Sequence, residues 1–194
     1  MSTEQFNKTI AAFDAANAAD PNQEIWEGKS YPKELLYAQR MTERLTQFAP
    51  DASEALQLAA RCQHICRWEI PRADYPMDRK GYHAWRNQLK KFHAEKAGGI
   101  LAEHGYDPVL IEEVQQLLLK RQLKRNPATQ TLEDVICLVF LEFYLEAFST
   151  HYAEEKLISI LQKTWGKMSE QGQQTALTLP LSDEMLQLVG KALA

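Results

Sequence analysis

The fold is decided by residues 51–68, DASEALQLAARCQHICRW. Leucine, alanine, cysteine and isoleucine side chains occupy most faces of a helix drawn through this stretch, which is typical of a buried helix. Asp51 is followed three residues later by Glu54, a spacing that resembles a capping box. We therefore predict one helix that begins at Asp51, runs to about Trp68 and lies at the centre of the protein.

Helical periodicity also extends along the chain on both sides of this segment. Strand signals are almost absent, because no alternating run of β-branched residues stands between turn residues, and residues 22–32 are predicted to form a loop. Further helices are predicted over residues 3–19, 35–48, 78–104, 108–123, 131–148 and 153–167, and in a short last segment that Ser182 caps. We expect an all-α, single-domain irregular bundle of roughly eight or nine helices over residues 1–194, with the N-terminal helix at its periphery.

The composition is that of a globular protein rather than a disordered one. Of the 194 residues, 45% are hydrophobic and 25% are charged, which is enough for a substantial core. The cysteines are odd in number and lie in apolar surroundings, which indicates reduced core thiols; they are Cys62, Cys66 and Cys137. The first segment lacks the features of a signal peptide, and no apolar run is long enough to span a membrane. We expect a cytoplasmic protein without a membrane partner.

Charge is distributed unevenly along the chain. The net charge is -4, which does not indicate a nucleic-acid partner. Residues 61–96 nevertheless contain nine Lys and Arg against four Asp and Glu. An acidic protein that concentrates positive charge in one stretch is typical of anion binding, so we expect an anionic small molecule as the ligand.

One face of the helix predicted over residues 78–104 is basic and aromatic. Its members recur at steps of three or four residues, and they are Arg79, Tyr82, Arg86, Lys90 and His93. Two interpretations are open. Either the face is solvated and its arginines pair with nearby acids, or it forms a cradle for phosphate or carboxylate, to which arginine offers two-pronged donors.

Two further polar residues stand in apolar helical segments. His64 lies near the end of the central helix and is either a hydrogen-bonded core histidine or a functional group. Asp134 completes a second capping box with Thr131. It also lies one helical step from apolar residues that face the core, where a carboxylate requires a cation or a hydrogen-bond donor. Metal ligation is therefore the alternative to capping.

Four stretches of the sequence resemble a known family. They are AARCQHICRWEIPR (59–72), YPMDRKGY (75–82), KKFHAEKAGGIL (90–101) and QTLEDVICLVFLEFY (130–144). They resemble a family of small proteins catalogued as a domain of unknown function, whose members are sometimes labelled glutamyl-tRNA synthetase-like. The resemblance implies no established activity. The synthetase label gains no support from the sequence, since the chain lacks the strands on which synthetase signatures bind a nucleotide.

The order of the polar residues also resembles the HD-domain metal phosphohydrolases, an all-helical superfamily whose members hold metal ions. His64 is similar to the histidine of the HD pair, His93 to the downstream histidine and Asp134 to the closing aspartate. Two positions depart from the pattern: Tyr37 stands where an early histidine is expected, and Ile65 stands where the aspartate of the pair is expected. The resemblance implies an HD-like fold and three candidate metal ligands.

Two functions follow from these patterns. In the first, the chain is a metal-dependent phosphohydrolase that acts on a phosphate-containing small molecule or a nucleotide. A divalent metal ion held by His64, His93 and Asp134 activates water, and Glu69 or Glu95 acts as general base. The substrate-binding residues are then Arg61, Arg72, Arg79, Tyr82, Arg86 and Lys90.

The second function is a non-catalytic module that binds an anion, a nucleotide or RNA and has lost the metal site. It is favoured by the two ligands of the HD pattern that this sequence lacks. A third interpretation makes the polar cluster an internal salt-bridge network with no ligand. It predicts that removing a charge reduces stability and changes nothing else.

Overall fold

The structure is a computed structural model and describes residues 3–194. Within this range the chain forms ten α-helices and one two-stranded hairpin, which confirms the all-α prediction. Its internal contacts divide it into two compact units, Met1–Arg121 and Gln122–Ala194. No helix of the described range is both long and apolar enough to cross a membrane. The HD-like layout and the single domain stay predictions.

The first unit is built from five α-helices and the hairpin. Its elements are α1 (Thr3–Ala18), β1 (Gln23–Trp26), β2 (Lys29–Pro32), α2 (Lys33–Phe48), α3 (Glu54–Arg61), α4 (Arg79–Glu103) and α5 (Pro108–Leu118). Helix α3 packs against α1, α2 and α5, and α4 packs against α1 and α5. Fully buried side chains fill the space between these helices, among them Phe13, Met41, Leu45, Leu58, Ile65 and Leu101. Helix α3 therefore has the central position that its apolar sequence predicts.

Capping residues explain where α4 and α5 begin. The side chain of Asp78 accepts a hydrogen bond from the backbone N–H of Gly81 at the start of α4. Asp107 caps α5 in the same way, and Pro108 follows it at the first helical position. The sequence predicts the cap at Asp107 with its N1 proline, and it predicts the start of α4 at about residue 78. Helix α5 nevertheless ends at Leu118, five residues before its predicted end.

The central helix is shorter than the sequence predicts. It begins after Ser53, whose side chain accepts the capping hydrogen bond, so the prediction of Asp51 as the cap is wrong. The helix ends at Arg61, and the backbone then turns until it reaches Cys66, whose φ is 50°. A helix to Trp68 is therefore also wrong, because a residue in the left-handed region cannot continue a right-handed helix. This turn carries the polar residues of the candidate site.

Residues 22–32 form a hairpin where the sequence predicts a loop. Strands β1 and β2 are antiparallel, with Trp26 paired to Lys29. The turn between them consists of Glu27 at φ 49° and Gly28 at φ 75°. Two successive residues with positive φ are the signature of the turn that matches the twist of a hairpin. The loop prediction is wrong because the usual Asn-Gly signal is replaced here by Glu-Gly.

The second unit contains the remaining five α-helices. They are α6 (Pro127–Val139), α7 (Leu145–Ser149), α8 (Glu154–Trp165), α9 (Glu170–Ala176) and α10 (Asp183–Leu193), and a π-helical turn over Phe140–Tyr144 joins α6 to α7. Helix α8 packs against α10, and α6 packs against α9. The predicted start at Thr131 is wrong, because Asn126 caps α6 and the helix begins at Pro127. Helix α9 is missing from the sequence prediction.

Candidate anion-binding site

Helix α2 places one carboxylate, that of Glu34, among the buried side chains of the first unit. Glu34, Tyr37, Ala38 and Met41 are all buried and recur at helical spacing, so they occupy the inward face of α2. The backbone N–H of Glu34 donates to Oδ2 of Asp20 over 3.0 Å. The first backbone N–H groups of a helix have no partner within the helix. At the start of α2, Asp20 supplies that partner for Glu34.

The ring of His64 lies between this carboxylate and an arginine. It stacks on Tyr37, with 4.1 Å between ring centroids and 15° between planes. Its Nδ1 lies 3.2 Å from Oε2 of Glu34, and its Nε2 lies 3.0 Å from Nη1 of Arg67. A guanidinium group can only donate, so Nε2 accepts and the hydrogen is on Nδ1. The neutral ring therefore turns its N–H toward Glu34.

Arg67 comes directly after the left-handed residue Cys66 and is the first residue of a single 3₁₀ turn. Its guanidinium lies over the ring of Trp85, 4.8 Å from the centroid, a cation–π arrangement that fixes the plane of the charge. Trp85 is itself held by a hydrogen bond of 2.9 Å from Nε1 to the carbonyl of Ile70. The Nε of Arg67 is 3.8 Å from Oε1 of Glu34, which is too long for a hydrogen bond.

His93 approaches the same cluster from α4. Its ring centroid is 5.9 Å from that of His64. Nδ1 lies 2.8 Å from the carbonyl oxygen of Ile65, to which it donates, while Nε2 is buried and has no hydrogen-bond partner in the described chain. Burial is the main reason that the pKa of His93 falls to about 3. The ring is therefore neutral, with an unused lone pair on Nε2.

The charges of the cluster are positive in excess. Burial lowers the pKa of His64 well below its usual value, and the positive groups Arg67 and Arg86 lower it further. Burial also raises the pKa of Glu34 to about 7, against the opposing effect of Arg67. The pKa of Arg67 is lowered first by burial and then by Arg86, while Glu34 opposes both. At neutral pH the one carboxylate of the cluster is thus only partly ionised.

Two of the predicted substrate-binding arginines have structural partners. Arg61 forms a two-pronged ion pair with Asp14 of α1, at 2.7 and 2.6 Å. Arg72 donates to the backbone carbonyls of Tyr75 and Pro76 and so closes the loop before α4. These contacts satisfy both guanidinium groups internally, and the role of the two residues in binding stays a prediction.

The other predicted binding residues follow the outer face of α4. Arg79 and Tyr82 are exposed, and Arg86 and Lys90 are half-buried. Tyr82 is 46% exposed and contacts the ring of Trp85. Arg86 is the member of this set whose charge acts on both His64 and His93. The positive charge of Arg86 therefore acts on the cluster.

The two predicted general bases are surface carboxylates. Glu69 is exposed and pairs with Lys96, Oε1 to Nζ, over 2.8 Å. Glu95 is exposed on α4. Catalysis by either residue stays a prediction.

Asp134 belongs to the second unit, where its carboxylate is fully bonded. It accepts hydrogen bonds from the backbone N–H and the hydroxyl of Ser169 and from Nε2 of Gln130. The predicted capping box with Thr131 is wrong, because the donors that Asp134 satisfies lie at the start of α9 rather than α6. The expectation that a buried carboxylate must find a donor is met by Ser169.

No group of three metal-binding side chains occurs among residues 3–194. Of the predicted ligands, His64 and His93 lie together in the first unit, and both nitrogens of His64 already face other side chains. The residues of the cluster do not fit a three-ligand metal ion. The set of His64, His93 and Asp134 stays a prediction, and we derive no chemical step from it.

Two residues of the cluster, Glu34 and Arg67, are missing from the sequence prediction. A signal for Glu34 was present, because it occupies the same helical face as Tyr37, Ala38 and Met41. A carboxylate on an apolar face calls for an explanation. Arg67 offered no comparable signal, since its position depends on a turn that interrupts the expected helix.

The comparisons with known proteins bear on the family and not on the activity. No curated protein and no solved structure matches the chain. A family model matches residues 7–189, which confirms the resemblance to a family of unknown function. The chain belongs to the family described as "Domain of unknown function (DUF4202)".

Proposed function

We propose that the first unit binds a phosphate-containing small molecule, such as a nucleotide, through Arg67 and Arg86. One observation carries the proposal: the half-buried guanidinium of Arg67 has a single, weakly ionised carboxylate beside it, and Arg86 adds a second positive charge. Arg67 has that carboxylate, Glu34, at a distance of 3.8 Å. Arg86 forms no hydrogen bond or ion pair with any other described residue. Guanidinium groups recognise phosphate through paired donors.

The electrostatic balance supports an anionic ligand. Among the groups that act on the pKa of Arg67, Glu34 is the one carboxylate, and Arg86 works against it. The pKa of Glu34 is itself raised to about 7. Unbalanced charge away from water is costly, and a bound anion would offset it. Burial, with the positive charges of Arg67 and Arg86 in support, lowers the pKa of His64 and of His93 and so keeps both rings neutral.

The cluster can be reached from solvent. The side chain of His64 is 16% exposed and that of Arg67 is 21% exposed. Trp85, which lies beneath the guanidinium of Arg67, is half-buried. A phosphate group can therefore approach Arg67 from the open side while Trp85 holds the donors in one plane.

Calorimetric titration at pH 7 with inorganic phosphate, pyrophosphate and ATP tests the proposal. We expect Arg86→Gln to weaken binding between about tenfold and a hundredfold, the usual loss for one hydrogen bond to a charged group. Arg67→Lys should also weaken binding, because it keeps the charge and loses the planar fork. Lys80→Gln is the matched control, since Lys80 is an exposed cation on the same helix.

Two results would contradict the proposal: a wild-type protein that binds none of the three anions, or an Arg86→Gln variant that binds them as tightly as the wild type. The metal-dependent phosphohydrolase stays the alternative prediction. It requires release of phosphate from a nucleotide that depends on an added divalent ion such as Mn²⁺. Binding without turnover and without metal dependence favours the non-catalytic module.

A further inference from the structure

The carboxylate of Glu34 lies next to the guanidinium of Arg67, where we propose that an anion binds. Its Oε1 is 3.8 Å from the Nε of Arg67, and no described residue donates a hydrogen bond to this oxygen. Its Oε2 faces the N–H of His64 at 3.2 Å. An oxyanion that docks on the guanidinium therefore brings its own oxygens next to Oε1.

The charged groups around Glu34 and His64 determine how the carboxylate would interact with a bound anion. Glu34 is acted on by Arg67, Asp20, Lys33 and Glu24. His64 is acted on by Arg67, His93, Arg86 and Lys120. Because His64 is neutral, it supplies one hydrogen to Oε2 and no positive charge. An ionised Glu34 and a bound anion are thus two sets of acceptor oxygens that lack a donor between them.

Two acceptor oxygens in contact away from water need a proton between them. Hydrogen phosphate carries that proton on one of its oxygens and can donate it to Oε1. Sulfate has the same charge at alkaline pH, a similar size and the same tetrahedral shape, and it has no proton. The carboxylate therefore attracts the first anion and repels the second.

We propose that Glu34 makes this site selective for a phosphate group that carries a proton and excludes sulfate, which carries none. The inference rests on the proposed function, because it requires an anion at Arg67. It adds the identity of the anion and assigns the selection of phosphate over sulfate to the side chain of Glu34.

The test compares inorganic phosphate and sulfate by calorimetry at pH 8.5, where each is a dianion and the two differ by one proton. We expect the wild type to bind phosphate between about tenfold and a hundredfold more tightly than sulfate, as for an unsatisfied buried acceptor. In Glu34→Gln, whose amide can donate to either anion, the ratio of the two dissociation constants should fall to within about threefold of one. Glu43→Gln, an exposed acid on the same helix, should keep the wild-type ratio.

A second measurement uses the wild type alone and does not depend on the folding of a variant. At pH 8.5 arsenate carries one proton and selenate carries none, and both are tetrahedral dianions. Arsenate should therefore bind at least about tenfold more tightly than selenate. Equal affinities for the two anions at pH 8.5 would overturn the inference while leaving the proposed function intact. Failure of both anions to bind would overturn the proposed function as well.

Discussion

The carboxylate of Asp134 rests against Gly172, and the contact leaves no room for a side chain. A Cβ atom at Gly172 would lie 2.7 Å from Oδ1 of Asp134 and 2.8 Å from its Cγ. Gly172→Ala therefore forces the carboxylate away from the two donors of Ser169. We expect the variant to lose about 1–3 kcal/mol in free energy of unfolding, the cost of unsatisfied buried groups, measured by urea denaturation.

Gly190 supplies the control for this substitution. It lies in α10 of the same unit, and a Cβ atom there meets nothing within 4 Å. Gly190→Ala should stabilise the protein by up to about 1 kcal/mol, because alanine is the better helix former. A Gly172→Ala variant that is as stable as Gly190→Ala would show that the contact with Asp134 carries no energy.

At the scale of single residues, the sequence predicts which buried polar groups require a hydrogen-bond partner, but it does not predict which residue that partner is. It shows that Asp134 stands on an inward face and requires a donor. The donor is Ser169, 35 positions further along the chain. Helical periodicity specifies the faces of one helix and does not specify which segment covers them. The same limit explains why the pairing of His64 with Glu34 is missing from the sequence prediction.

At the scale of elements, two adjacent glycines of α4 should respond differently to alanine. A Cβ atom at Gly99 meets nothing within 4 Å, whereas one at Gly98 lies 2.3 Å from Nε2 of Gln115. Gln115 donates from that atom to the carbonyl of Ala94 over 3.1 Å and so joins α5 to α4. Gly99→Ala should stabilise the protein by about 0.5–1 kcal/mol. Gly98→Ala gains the same helix propensity and loses this bond, which is worth about 1 kcal/mol.

Thermal unfolding of the two alanine variants side by side measures this difference. Because the changes are identical in chemistry and adjacent in the helix, effects on the unfolded chain cancel to a good approximation. We expect Gly99→Ala to exceed Gly98→Ala by about 1 kcal/mol. If the order is reversed, the hydrogen bond from Gln115 to Ala94 does not stabilise the packing of α5 on α4.

The starts of two helices depend on local chemistry and were predictable, whereas the end of α3 depends on a distant contact and was not. The starts of α4 and α5 follow from Asp78 and Asp107, which act on backbone groups within three residues. The end of α3 instead depends on Asn17 of α1, whose side chain accepts a hydrogen bond from the backbone N–H of Cys66. That contact supports a left-handed conformation that a non-glycine residue rarely adopts. Periodicity alone therefore extends α3 too far.

At the scale of the whole molecule, the basic stretch of residues 61–96 has fewer unpaired positive charges than its composition suggests. Arg61 is neutralised by Asp14, and Lys96 is paired with Glu69. Arg72 spends its donors on backbone carbonyls. The charge count predicts an anion-binding region. The contacts show that three of its cations, Arg61, Arg72 and Lys96, already have partners, and the binding groups that we propose are Arg67 and Arg86. Which cations of a run are already paired is a property of the folded chain.

The stability of the first unit depends on pH through three buried groups, His64, His93 and Glu34, and the histidines act in the opposite sense to the carboxylate. The folded state keeps His64 and His93 neutral, while the unfolded chain binds protons below the ordinary pKa of 6.5. Their contribution to stability is lost as the pH falls below that value. Glu34 acts in the reverse sense, because its folded pKa of about 7 exceeds the unfolded value of 4.5. Its contribution is present below pH 4.5 and is lost as the pH rises to 7.

Glu34→Gln isolates the second effect, because the variant cannot ionise at this position and keeps both histidines. Between pH 4.5 and 7 the free energy of unfolding of the variant should rise relative to that of the wild type, by about 2–3 kcal/mol in all, since each unit of pKa shift corresponds to about 1.4 kcal/mol. Above pH 7 the two curves should run parallel. Urea denaturation at half-unit steps of pH measures both, with Glu43→Gln as the control for a lost surface charge. Parallel curves throughout the range would mean that Glu34 is ionised and stabilised in the folded protein, and that Arg67 already has the counter-charge it needs.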